Sequence, residues 1–183
     1  LSDEPYRELR FTTQPFISPA RVYEAGIMTY SFSKSHSVPG ERIGYIALNP
    51  AMPECEDLVT GLSLANRILG FVNAPALMQR VVAQMQGDSV DIDQYRKKRD
   101  LLCDGLAHCG YDFFKPSGAF YLFPKAPIAD DVAFVRDLQD ELILVVPGSG
   151  FGGPGHFRIA YCVNSDTIKN AMPGFRRTLE RYR

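Results

Sequence analysis

The run Ser31-Phe32-Ser33-Lys34-Ser35-His36-Ser37-Val38-Pro39-Gly40-Glu41-Arg42-Ile43-Gly44-Tyr45 puts hydroxyls three residues and one residue before a lysine. An arginine follows that lysine eight positions later, with a glycine in between. An amine, hydroxyl donors and a guanidinium are what a phosphorylated aldehyde needs: the amine condenses with the carbonyl, and the fork and hydroxyls hold the phosphate. Any one loop lysine is ordinarily a surface residue. Here the run is long and lies between two apolar segments, and loops at strand ends are where α/β proteins place ligands. Ser2-Asp3-Glu4-Pro5-Tyr6 lies about thirty residues upstream and offers a carboxylate and a phenol. On its own Asp-x-x-Tyr would mark a surface turn. A straight strand sends positions three apart to opposite faces, so joint use of Asp3 and Tyr6 requires a bend at Glu4-Pro5. Near the other end, Val146-Pro147-Gly148-Ser149-Gly150-Phe151-Gly152 precedes Arg158. Its glycines lack the G-K-[ST] ending of a phosphate loop.

These groups need a scaffold. Ile27–Tyr30 and Ile43–Leu48 are short, apolar and rich in β-formers, and they read as buried strands of an α/β sheet. Leu58, Leu62, Ala65 and Leu69, then Leu77, Val81 and Met85, recur at helical spacing and predict two helices parted near Asn73-Ala74-Pro75. Asp91 caps a third helix, with Ile92, Tyr95, Leu102 and Leu106 on one side and Gly110 as its stop. Asp130 opens a fourth, carrying Val132, Val135 and Leu138. Leu142–Val146 and Phe157–Val163 read as strands. Asn164 or Ser165 starts a last helix through Ile168, Met172, Phe175, Leu179 and Tyr182, with Pro173 predicting a kink or break inside it. The chain therefore divides into residues 1–90 and a small α+β unit, residues 91–183, of ordinary domain size.

A length of 183 residues allows a real hydrophobic core, and 45% hydrophobic with 22% charged residues matches a soluble protein. A formal net charge of −1 gives no electrostatic reason to expect nucleic acid or an anionic membrane as partner. Arg176, Arg177, Arg181 and Arg183 read as a solvated helix face. Cys55, Cys103, Cys109 and Cys162 have no C-x-x-C pairing and no zinc-like neighbours, so they are expected to be free thiols and no metal site is expected. His36, His108 and His156 are scattered and read as incidental. No segment approaches the roughly 20 apolar residues of a membrane span, and the start lacks the regions of a secretory signal, so a cytoplasmic location is the expectation. The opening at Leu1, without an initiator Met, is expected of a truncated or processed chain.

The run around Lys34 resembles the Schiff-base motif of fold-type I pyridoxal-phosphate enzymes, in particular the aspartate aminotransferase family (class I/II aminotransferases), whose pattern is S-x-S-K followed by G-x-R-x-G. The resemblance implies that Lys34 is the covalent anchor of pyridoxal 5'-phosphate and, once substrate displaces it, the base that moves the α-proton. It implies that Arg42 and Ser31 hold the phosphate, with Ser33 as a second hydroxyl. It also implies that Asp3 pairs with the pyridinium nitrogen, which keeps the ring an electron sink, and that Tyr6 hydrogen-bonds the ring hydroxyl oxygen. The family's P-G-x-x-F-G loop and the strand arginine after it imply that Arg158 binds the substrate α-carboxylate. Ser117–Phe123 is similar to the small-domain segment that approaches the family's active site, although core packing explains its aromatics equally well.

The resemblance covers essentially all of this chain and only the second half of a family member. It implies an α/β fold: the C-terminal part of the fold-type I large domain in residues 1–90, and the small C-terminal domain in residues 91–183. The implied activity is transfer of an amino group between an amino acid and a 2-oxo acid by a homodimer, with only a partial cofactor site on this chain alone. Two alternatives stand beside it. One is a cystathionine-type β-lyase using the same cofactor and residues; the other is a non-enzymatic aminotransferase-like sensing domain of a transcription regulator.

Overall fold

A computed structural model describes Leu1–Arg183 as two units, Leu1–Val90 and Asp91–Arg183. In the first, β1 (Ser2–Asp3), α1 (Pro19–Val22), β2 (Ile27–Ser31), α2 (Phe32–Ser35), β3 (Gly44–Leu48), α3 (Cys55–Ile68) and α4 (Ala76–Gln84) follow one another. The strands form a sheet in the order β1-β2-β3, with β1 parallel and β3 antiparallel to β2. Met28, Tyr30, Phe32, Ile43 and Val82 make the core. Burial of apolar side chains of this size contributes about 1.5–3 kcal/mol each. On β2, Met28 and Tyr30 are buried while Ile27, Thr29 and Ser31 are half-buried, so the strand alternates as its period of two requires.

β3 departs from the expectation of a buried strand: it is an edge, and Gly44, Tyr45 and Ile46 are exposed. Its position is set by Gly44, which pairs with Ser31. A Cβ there would stand 2.3 Å from the Tyr30 carbonyl oxygen, so only glycine lets the two strands close. α3 and α4 match the two predicted helices, and α3 buries none of its residues within this unit.

The second unit runs α5 (Ile92–Cys109), β4 (Tyr121–Leu122), α6 (Asp131–Asp140), β5 (Val146–Pro147), β6 (Phe157–Ala160) and α7 (Ser165–Glu180), with an antiparallel sheet in the order β4-β6-β5. The helix starts follow the sequence. Asp91 accepts from the amides of Asp93 and Gln94, Asp130 from Ala133, and Asn164 from Asp166. Gly110, at φ 99°, closes α5 in the left-handed conformation. Tyr111 lies at the centre of the core with Phe134, Phe157 and Phe175 packed around its ring, and its hydroxyl donates to the Phe175 carbonyl at 2.9 Å. Pro173 does not break α7, which is continuous through it. The buried face of Ile168, Phe175, Thr178 and Leu179 outweighs the one lost backbone donor.

The predicted strand Leu142–Val146 is a correction. Only Val146 and Pro147 pair, because the preceding amides close α6 instead: Leu142 donates to the Gln139 carbonyl and Ile143 to the Leu138 carbonyl, both at 2.9 Å. This is a Schellman ending with Leu142 in the left-handed position at φ 60°. That conformation costs a branched residue about 1–2 kcal/mol, and Leu142 is 91% exposed, so its side chain returns little. Leu142→Gly is therefore expected to stabilise the unit by roughly 0.5–1 kcal/mol, read as a rise of a few degrees in melting temperature.

The strand predicted over Phe157–Val163 ends at Ala160, where Tyr161 turns its amide to the Phe120 carbonyl. The arginines near the end are not only a solvated face: Arg177 and Arg181 both bind Glu141, at 2.6 and 2.7 Å, and Arg183 donates to the Cys109 carbonyl. The Arg177 and Arg181 guanidiniums hold the Glu141 carboxyl below the usual range despite its partial burial. No helix is long and apolar enough to cross a membrane.

Candidate functional site

Parallel pairing of β1 with β2 aligns Asp3 with Thr29, so both strands deliver their carboxyl ends to one edge of the sheet. Ligands of α/β proteins bind outside such ends. Asp3 is exposed, and its Oδ1 accepts from the Thr29 hydroxyl at 2.8 Å, which fixes the carboxylate beside β2. The chain turns directly after it: the Arg7 amide donates to the Glu4 carbonyl at 3.4 Å, with Pro5 as the second residue of the turn, where its fixed φ is favourable. Tyr6 is half-buried on that turn.

β2 runs straight into the single helical turn α2, whose third residue is the half-buried Lys34. Ser31 is the N-cap: its Oγ accepts from the Ser33 amide at 3.2 Å and donates to Ser33 Oγ at 2.7 Å. A 3-10 turn, Pro39–Glu41, returns the chain to β3 and leaves Arg42 at φ 52°, ψ 48°. An arginine in this left-handed conformation is strained, and such strain collects at ligand sites. Its Nη1 donates to the Pro39 carbonyl at 2.8 Å. Ser31, Ser33, Arg42, Ile43 and Gly44 together line a concavity of about 150 Å³. Two hydroxyls and a guanidinium on one small hollow are the donor set of an oxyanion such as phosphate.

In the unit Asp91–Arg183, Arg158 is half-buried on β6 and its guanidinium lies over two rings, 3.8 Å from the Phe151 centroid and 4.5 Å from that of Tyr121. Cation–π contact with both rings holds the guanidinium beside them. Phe151 arrives through the 3-10 turn Gly148–Phe151, which closes tightly: a Cβ on Gly148 would stand 2.3 Å from the Gly153 carbonyl oxygen. The Ser149 amide donates to Asp131 Oδ2 at 2.7 Å. That bond is the leading cause holding the Asp131 carboxyl below the usual carboxylate range.

A depressed folded pKa means that the Asp131 contribution is present above the unfolded value of about 3.9 and is lost as pH falls through the lower folded one. Acid titration below pH about 4 is therefore expected to release the Ser149 amide, seen as faster hydrogen exchange there before global unfolding. In Asp131→Asn the same amide is expected to exchange at a rate independent of pH once intrinsic exchange is divided out.

Thr29 and Asp131 escaped the sequence reading, as did the contacts of Tyr121 and Phe151 with Arg158, although both residues lie in segments singled out there. Thr29 and Tyr121 act across a sheet, and no local spacing reveals them; Asp131 follows a capping aspartate and looks like a second cap. His36 was read as incidental, yet its ring nitrogens bond Ser35 and Met85.

The model of aminotransferase class I and II matches residues 1–174. The chain belongs to this family. Among class I and II aminotransferases, the aspartate aminotransferase of Bacillus subtilis is 29% identical, over 100% of this chain and 49% of its own length. The aspartate/prephenate aminotransferase of Thermus thermophilus is 31% identical, over 99% and 48%. A crystal structure of an aminotransferase from Eubacterium rectale superposes with a TM-score of 0.91 at 42% identity, covering 98% of this chain and 45% of that one. The fold is thus the α/β aminotransferase fold, and the chain spans about half the length of the curated relatives it matches.

Proposed function

We propose that Leu1–Val90 is the C-terminal part of the cofactor-binding large domain, and Asp91–Arg183 the small domain, of a pyridoxal-phosphate-dependent aminotransferase resembling aspartate aminotransferase. Its substrates are an amino acid and a 2-oxo acid, and the full-length protein works as a homodimer in the cytoplasm. The observation that carries this reading is the convergence at the carboxyl end of β2: Asp3 bonded to Thr29, the hollow of Ser31, Ser33 and Arg42, and Lys34 on the turn leaving that strand. The names of the relatives support it.

The residues fit pyridoxal 5'-phosphate by their chemistry. The Ser31 and Ser33 hydroxyls and the Arg42 guanidinium match a phosphate, and the Asp3 carboxylate matches a protonated ring nitrogen. Tyr6 is the donor for the ring hydroxyl oxygen. When bound, the cofactor supplies an electron sink for a substrate losing its α-hydrogen. Lys34 would hold it through Nζ, and the same amine would move the substrate's α-proton. Asp3 keeps the ring nitrogen protonated by its negative charge. Arg158 orients the substrate α-carboxylate through its planar fork.

Borohydride reduction of the full-length protein with pyridoxal phosphate, followed by peptide mass spectrometry, tests this. A pyridoxyl adduct on Lys34 is expected. An adduct on another lysine would refute the reading. Conversion of aspartate with 2-oxoglutarate, against release of product from cystathionine, then separates transfer from elimination.

A further inference from the structure

A continuous hydrogen-bond chain surrounds the turn that carries Lys34, and none of its members has a part in the function proposed above. The Tyr30 hydroxyl donates to Ser35 Oγ at 2.6 Å, Ser35 Oγ lies 2.8 Å from His36 Nδ1, and His36 Nε2 lies 3.2 Å from the Met85 carbonyl oxygen. Ser35 is fully buried and Tyr30 is 5% exposed. A carbonyl oxygen only accepts, so Nε2 carries a proton. In the neutral ring Nδ1 is then bare and accepts from Ser35, which uses the one serine proton and leaves the serine oxygen to accept from Tyr30.

Both ends are anchored. The Ser35 carbonyl accepts from the Val90 amide at 2.7 Å, and the His36 ring meets Phe32 edge to face at 5.2 Å. At the other end, the Arg7 guanidinium lies 4.1 Å from the centre of the Tyr30 ring, and Arg7 follows Tyr6 directly. Tyr30 thus touches the segment after Asp3 with its ring and the Lys34 turn with its hydroxyl. A helix of one turn does not hold itself together, because its nucleus is unfavourable without tertiary support. The side chains of Tyr30, Ser35 and His36 supply that support.

We propose that His36, acting through Ser35 and Tyr30, is a positioning residue for Lys34: the chain of defined polarity sets the turn so that the lysine amine meets the cofactor aldehyde. This rests on Lys34 being the cofactor anchor. Placement matters because an error of about 1 Å at a reacting group costs about a hundredfold in rate.

Two experiments on the full-length protein test it. Long-range proton–nitrogen spectra of the cofactor-free wild type are expected to show His36 protonated at Nε2 and bare at Nδ1; the opposite tautomer would overturn the proposal. Next, the rate at which borohydride-trappable pyridoxal phosphate accumulates on Lys34 is compared in His36→Asn and His36→Leu. The asparagine oxygen stands where Nδ1 stands and can accept from Ser35, whereas leucine offers nothing; both lose Met85.

His36→Leu is expected to be slowed about tenfold, the equivalent of one net hydrogen bond, with His36→Asn close to wild type and both melting at similarly lowered temperatures. Equal rates in the two variants, fast or slow, would reduce His36 to a packing residue and overturn the proposal. If His36→Leu does not fold, Tyr30→Phe replaces it, since it deletes the donor to Ser35, together with the hydroxyl's contact to Glu8, and keeps the ring beneath Arg7; an unchanged rate there is equally fatal. A wild type unlabelled at Lys34 would instead refute the anchor reading, while the tautomer still reports on the chain.

Discussion

Alanine at position 34 is expected to abolish amino-group transfer, lowering kcat by about 10⁴-fold or more, the upper range for loss of a positioned acid–base group, with loss of covalent attachment added. The size of the effect follows from the composition of the unit around it. Lys34 is the only lysine in Leu1–Val90, so within that unit no neighbouring amine can take over as base or anchor. Cofactor affinity is expected to fall much less, because the Ser31, Ser33 and Arg42 donors and the Asp3 carboxylate remain. Single-turnover absorbance measurements and equilibrium dialysis on the full-length Lys34→Ala protein read the two quantities separately. A variant retaining a tenth of the wild-type kcat would remove Lys34 from the mechanism.

Arg158→Lys carries the second large effect. Lysine preserves the charge and removes the planar fork held over Phe151 and Tyr121. The charge stays but the second hydrogen bond of the fork is lost, which costs about 1.5–3 kcal/mol, so kcat/KM for the amino acid is expected to drop by roughly tenfold to a hundredfold, chiefly through KM. Phe151→Leu should reproduce part of that loss while the arginine stays in place, because one ring contact is gone. A change smaller than threefold in Arg158→Lys would show that the guanidinium does not meet the substrate.

Much of this protein was determined by neighbours along the chain. The caps at Asp91, Asp130 and Asn164 bond amides two or three residues ahead, so residue type and spacing suffice to find them. The lysine run is equally local, since Ser31, Lys34 and Arg42 share one strand end, one helical turn and one return. Whatever depends on contacts between distant segments was decided by tertiary structure alone. Leu142–Val146 is an unbroken apolar run rich in β-formers, as a buried strand would be, yet the Schellman ending of α6 takes the amides a ladder would need. Ile43–Leu48 is as apolar as a buried strand, and its exposure follows from which elements cover it, which no hydrophobic pattern records. The clasp of Arg158 by Tyr121 and the bond from His36 to Met85 join residues 37 and 49 apart, a separation at which residue type says nothing about contact until the chain has packed.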